Sequence, residues 1–150
     1  MRARVGICIF VTRKIAHAAA MIKAGRQRNL ELGNLEAKPD WSFAGDFVRA
    51  MALITQHHEP DDYVLASGIS HTVADFCELA FGQVGLDYRD FVNATFARPS
   101  DTAERAGNAA KAKKNLGWRA EVDFETLVSM MVDYYVALSR NEWEVADESD

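Results

Sequence analysis

Phe10-Val11-Thr12-Arg13-Lys14-Ile15, followed by Leu32-Gly33-Asn34-Leu35-Glu36-Ala37-Lys38-Pro39-Asp40-Trp41, decides how this chain is read. The apolar, β-branched run over residues 5–11 reads as a buried strand. Thr12 is then placed to cap a helix. Ile15, Ala18, Ala19 and Ile22 recur at helical spacing, and Gly25 ends the pattern. Residues 29–32 read as a short strand and Gly33-Asn34 as a turn. Arg13 and Lys14 fall in the first helical turn, where the helix dipole disfavours cations by about half a kcal/mol each. Residue types alone leave two readings. Both side chains point into solvent, or they join the free helix amides around an anion such as a phosphate.

Further along, the pattern predicts a second helix from about Phe43 to His57, with Phe47, Met51 and Ile54 facing inward. Tyr63-Val64-Leu65-Ala66 reads as a strand. Thr72 and Asp75 resemble a capping box with a shortened acid. They start a helix carrying Phe76, Leu79, Ala80 and Val84, which Gly85 stops. Residues 86–107 are the least regular, with a strand around Phe91-Val92 and a loop at Arg98-Pro99. Asn108 to Asn115 reads as a short basic helix. Asp123 caps the last helix, whose inner face is expected to include Leu127, Met130, Met131, Tyr134 and Leu138. The mixture of helices and short strands predicts an α/β (α+β-like) fragment, with residues 1–140 as a single domain and 141–150 as an acidic, solvated tail.

Composition excludes several classes. The net charge is -5, so there is no broad basic field for nucleic acid. No stretch is long enough to cross a membrane. Met1-Arg2-Ala3-Arg4 and the apolar residues after it resemble a short leader, but Arg13 and Lys14 interrupt it before any cleavage site. Cys8 and Cys77 have no metal-like spacing, and a reduced cytoplasmic protein is expected. His57-His58-Glu59 invites a metal reading. Adjacent helical histidines diverge by about 100°, which argues against a chelating pair.

The two opening stretches resemble the GDP-mannose 4,6-dehydratases, members of the extended short-chain dehydrogenase/reductase family. Similarity runs from about Phe10 to about Leu138. It includes Glu59-Pro60-Asp61-Asp62-Tyr63-Val64-Leu65-Ala66-Ser67-Gly68, Arg98-Pro99, and Lys111-Ala112-Lys113-Lys114-Asn115-Leu116-Gly117-Trp118. The resemblance implies a C-terminal substrate-binding portion without the Rossmann half. It implies that Arg13 contacts NADP, and that Val11, Lys14, Arg98 and Asp101 contact the GDP-sugar. Asp101 stands where the family has a glutamate. Pro39 replaces a substrate-contacting arginine, and Phe43 replaces a histidine. Trp41 reads either as a core aromatic or as a stacking platform for a nucleotide.

The family reaction needs a Gly-rich dinucleotide loop and a Tyr-x-x-x-Lys pair. The sequence holds neither: no Gly-x-Gly-x-x-Gly occurs, and Tyr63, Tyr88, Tyr134 and Tyr135 each lack a lysine four residues on. No catalytic or metal-binding residue is therefore assigned. The resemblance implies a chain inert by itself, working with a separate Rossmann-domain chain. The alternative is a non-enzymatic module that binds a nucleotide sugar or a protein. The apolar residues Ile7, Ile9, Phe10 and Val11 are expected to form an exposed patch that a homo-oligomer could cover.

Overall fold

The structure, a computed structural model, describes residues 10–95 and 106–147, with side chains through 140. In chain order the elements are α1 (Val11–Lys23), β1 (Leu30–Leu32), α2 (Ala44–Gln56), α3 (Val73–Gln83), a 3₁₀ turn at Tyr88–Asp90, β2 (Val92–Ala94), α4 (Ala110–Leu116) and α5 (Phe124–Asp147). They fall into two compact units. One comprises Met1–Gly33, Phe76–Thr95 and Val128–Asp150, and the other Asn34–Asp75 and Phe96–Leu127.

In the first unit, α1 buries Ile15, Ala18, Ala19 and Ile22 as their spacing predicts, and Ala16 and Ala20 besides. Small side chains on nearly every face let neighbours approach a helix closely. Gly25 adopts φ +70°, which ends α1 without the strain a Cβ would add. β1 packs beside α1 and pairs in parallel with β2, Leu30 opposite Val92 and Leu32 opposite Ala94. Phe76, Phe81, Val128 and Val132 are fully buried in this unit. Gln83 Nε2 on α3 donates to Asp133 Oδ1 on α5 at 2.6 Å.

In the second unit, α2 packs against α4. Ala50, Ala112 and Trp118 form its buried centre, with Phe47, Leu53, Tyr63 and Leu65 around them. The capping box closes as expected: Thr72 N donates to Asp75 Oδ2 at 2.7 Å, and Asp75 N to Thr72 Oγ1 at 2.9 Å. Asp123 likewise caps α5, its Oδ1 accepting from Thr126 N at 2.8 Å. α4 stops at Gly117, which takes φ +65°.

Several expectations need correction. α1 begins at Val11 with Phe10 as its N-cap, so Val11 is helical and Thr12 sits inside the first turn without capping it. Residues 5–9 of the expected strand lie outside the described residues. Tyr63–Ala66 joins no ladder among the described residues; Tyr63 and Leu65 pack on the Trp118 cluster, Val64 is exposed and Ala66 is buried. On α2, Phe47 and Ile54 are half-buried as expected, but Met51 is 57% exposed, and Asp46 and Ala50 are the buried residues of the inner face. A buried aspartate set that face, and an apolar count cannot anticipate it. On α5 the buried line is Phe124, Val128, Val132, Tyr135 and Ser139, while Met130, Tyr134 and Leu138 are exposed. Both lines are helically spaced, and the apolar pattern alone did not choose between them.

Candidate functional site

The first turn of α1 has the features of an anion site. The amides of Val11, Thr12 and Arg13 precede the first intrahelical bond, which runs from Lys14 N to Phe10 O at 3.0 Å. No side chain caps this end, and no acid lies in the first turn. Arg13 is exposed and, among the described residues, makes no hydrogen bond or ion pair. Lys14 is half-buried, and its Nζ donates to the carbonyl oxygen of Glu31 in β1. One cation of the pair is therefore available to a ligand, while the other ties the helix to the strand. Val11 is half-buried beside them. Arg98 and Asp101 lie outside the described residues.

The second unit is organised by two carboxylates to which sequence reading gave no role. Asp40 Oδ1 accepts from Ser67 Oγ at 2.6 Å and Ser67 N at 3.1 Å. Its Oδ2 accepts from Gly68 N at 2.9 Å and Gly107 N at 3.1 Å. Burial raises the Asp40 pKa, but these hydrogen bonds outweigh it and hold the carboxyl below its ordinary value. Asp46 is 2% exposed. Its Oδ2 accepts from Glu121 N at 2.8 Å and Val122 N at 3.1 Å, and its Oδ1 pairs with Arg49 at 3.0 Å. Burial raises its pKa too, and the two amides with Arg49 bring it below normal. Apart from Arg49 beside Asp46 and Ser42 Oγ at 3.4 Å from Asp40 Oδ1, the donors to both carboxylates lie far away in sequence, where no local motif points to them. The only signal was an acid at position 46 on the same helical face as Ala50.

Aromatic rings line a second part of this unit. Phe124 stacks on His71 at 3.9 Å and on Trp41 at 5.7 Å, each pair 7° from parallel. Trp41 thus has a packed neighbour and half-buried faces. Phe43 folds over Gly45, where a Cβ would lie 2.3 Å from its ring, so a side chain there would displace that ring. Cys77 is buried, and burial pushes its thiol up to about 12. His57 and His58 face each other at 4.7 Å, and His57 Nδ1 lies 3.0 Å from the carbonyl oxygen of Glu59. Among the described residues, no group of three or more His, Cys, Asp or Glu could hold a metal ion.

Known structures share this architecture. A solved structure of RMD from Pseudomonas aeruginosa complexed with NADPH matches with a TM-score of 0.77 at 20% identity, over 85% of this chain and 43% of that one. UDP-glucose 4-epimerase from Bifidobacterium longum, in complex with NAD+ and UDP, matches with a TM-score of 0.71 at 19% identity, over 87% of this chain and 40% of that one. The fold is that of part of an extended short-chain dehydrogenase/reductase. Sequence narrows the class. Residues 4–131 match the family model described as GDP-mannose 4,6 dehydratase. GDP-mannose 4,6 dehydratase 1 of Arabidopsis thaliana is 49% identical over 140 residues, covering 92% of this chain and 39% of the relative. The chain belongs to the GDP-mannose 4,6-dehydratase family and spans about two-fifths of the length of the relatives it matches.

Proposed function

We propose that this chain is the substrate-binding portion of a GDP-mannose 4,6-dehydratase-type enzyme and holds a GDP-sugar at the N-terminus of α1. The observation that carries this reading is the uncapped first turn of α1, with Val11 and Lys14 in it, in a chain of that family. Free amides, the helix dipole and a cation converge there on a phosphate. In this reading Val11 and Lys14 contact the nucleotide sugar, and Arg98 and Asp101 complete the contacts. Lys14 keeps its stem against β1 and shares its ammonium between the Glu31 carbonyl and a phosphate oxygen.

An exposed arginine at a helix N-terminus also fits the phosphates of NADP, so Arg13 is the residue that would hold the cofactor. NADP, when bound, takes up and returns a hydride. In this reading the residues of this chain bind and orient, and the proton and hydride steps fall to the Rossmann half of the enzyme. A second reading, a non-enzymatic nucleotide-sugar-binding or protein-interaction module, is favoured by Phe10, which is 74% exposed. In either case a homo-oligomer or partner chain covers that ring, and a cytoplasmic location suits the free thiol of Cys77. No helix among the described residues is long and apolar enough to cross a membrane.

The test is GDP binding by Lys14→Ala and Arg98→Ala. Each is expected to weaken binding about tenfold, the scale of a charge-assisted hydrogen bond, with an unchanged circular dichroism spectrum. Binding equal to the parent protein removes the assignment.

A further inference from the structure

A cleft of ≈ 500 Å³ lies within the second unit and shares no residue with the first turn of α1. That volume is in the range of small-molecule sites. Among the described residues its lining includes two cationic residues, Lys113 and Arg119, and no carboxylate, in a chain whose net charge is -5. Apart from Asn108, the rest of the lining is small or apolar.

The walls are fixed by structure already described. Asp40 binds the amides of Ser67, Gly68 and Gly107 together, which holds two segments of the lining at one carboxylate. Gly107 lies so close to its neighbour that a Cβ would fall 2.4 Å from the Ala66 Cβ. Buried Trp118 contributes an apolar surface, since its only donor, Nε1, is spent on the Asp46 carbonyl oxygen at 2.8 Å.

The cations are also positioned. Lys113 sits on α4, and the left-handed turn at Gly117 reverses the chain so that Arg119 lines the same cleft. The Arg119 carbonyl is held by Arg49 Nη2 at 3.0 Å, and the amides that follow are held by Asp46. Asn108 Oδ1 already accepts from Ala110 N, which leaves its NH₂ as a third donor. Two cations and an amide donor, with no competing acid among the described lining residues, select an oxyanion.

We propose that this cleft binds a phosphate-bearing small molecule, its phosphate between Lys113 and Arg119 and its body over Trp118 and Ala66. The test is titration of the ¹⁵N-labelled 150-residue protein, in separate arms, with inorganic phosphate and with glucose 1-phosphate, read by NMR. Saturable shifts are expected at the amides of 66–68, 107–110 and 118–120, with glucose 1-phosphate binding more tightly than inorganic phosphate. Lys113→Ala and Arg119→Ala, both at exposed positions, are each expected to weaken binding about tenfold. Arg13→Ala is expected to leave it unchanged. GDP binding at α1 is read from its own variants, so either site can fail without the other. Absence of saturable shifts, variants that bind like the parent, or equal affinity for the two ligands overturns the proposal.

Discussion

Replacing Asp40 with Asn removes one acceptor and the charge while keeping the shape. The carboxylate receives four hydrogen bonds of 3.1 Å or less, two on each oxygen, and a longer one at 3.4 Å from Ser42 Oγ to Oδ1. An amide has one acceptor oxygen, and its NH₂ faces whatever that oxygen does not serve. The least costly orientation keeps Gly68 N and Gly107 N on the oxygen and turns the NH₂ toward Ser67 Oγ, which can accept. Ser67 N is then orphaned, at about 1–3 kcal/mol. Loss of charge from the two surviving bonds adds about 1 kcal/mol. Asp40 is only half-buried, so water can serve the orphaned amide, and a loss of about 2 kcal/mol is expected. Urea denaturation at pH 7 reads this directly if the slope is unchanged. The sign with pH also follows. The folded pKa lies below the unfolded value, so the stabilisation is complete above pH ~4 and is lost as pH falls through the folded value. The gap between parent and variant should therefore close on acidification. A loss under about 0.5 kcal/mol at pH 7, or a gap that widens in acid, refutes the clasp.

Three further outcomes are expected. Thr72→Ala opens the capping box and should cost about 1 kcal/mol in the same denaturation assay. Gly107→Ala forces a carbon against Ala66 and should cost about 1–3 kcal/mol, with amide shifts centred on residues 64–68. In a Cys8→Ser background, Cys77 should react with a thiol reagent at pH 8 only as fast as the protein opens, because its thiol is buried and its pKa is about 12. Rapid stoichiometric labelling of the folded protein contradicts that burial.

Local chemistry was what the sequence made legible. Gly25, Gly85 and Gly117 mark helix ends with positive φ, and Thr72 with Asp75 marks a helix start, because each acts within a few residues of itself. The two short strands were legible for the same reason, although their parallel pairing joins residues far apart in sequence. The faces of α2 and α5 were not. On α2 a buried charge, Asp46, sets the inward direction, and its partners Glu121 and Val122 come from another part of the chain. On α5, Tyr134 and Tyr135 are equally apolar in a count, but only Tyr135 is buried, against the edge of His17. The pair Arg13 and Lys14 was visible as cations at the wrong end of a helix. That Lys14 is anchored to Glu31, while Arg13 has no partner among the described residues, was visible only in three dimensions.

The most direct test of the substrate-binding account is calorimetric titration of the folded 150-residue protein with GDP, with UDP as the control. Saturable binding of GDP, tighter than that of UDP, is the expected result. No heat from either nucleotide, with folding confirmed, contradicts the account and leaves family membership as a record of ancestry.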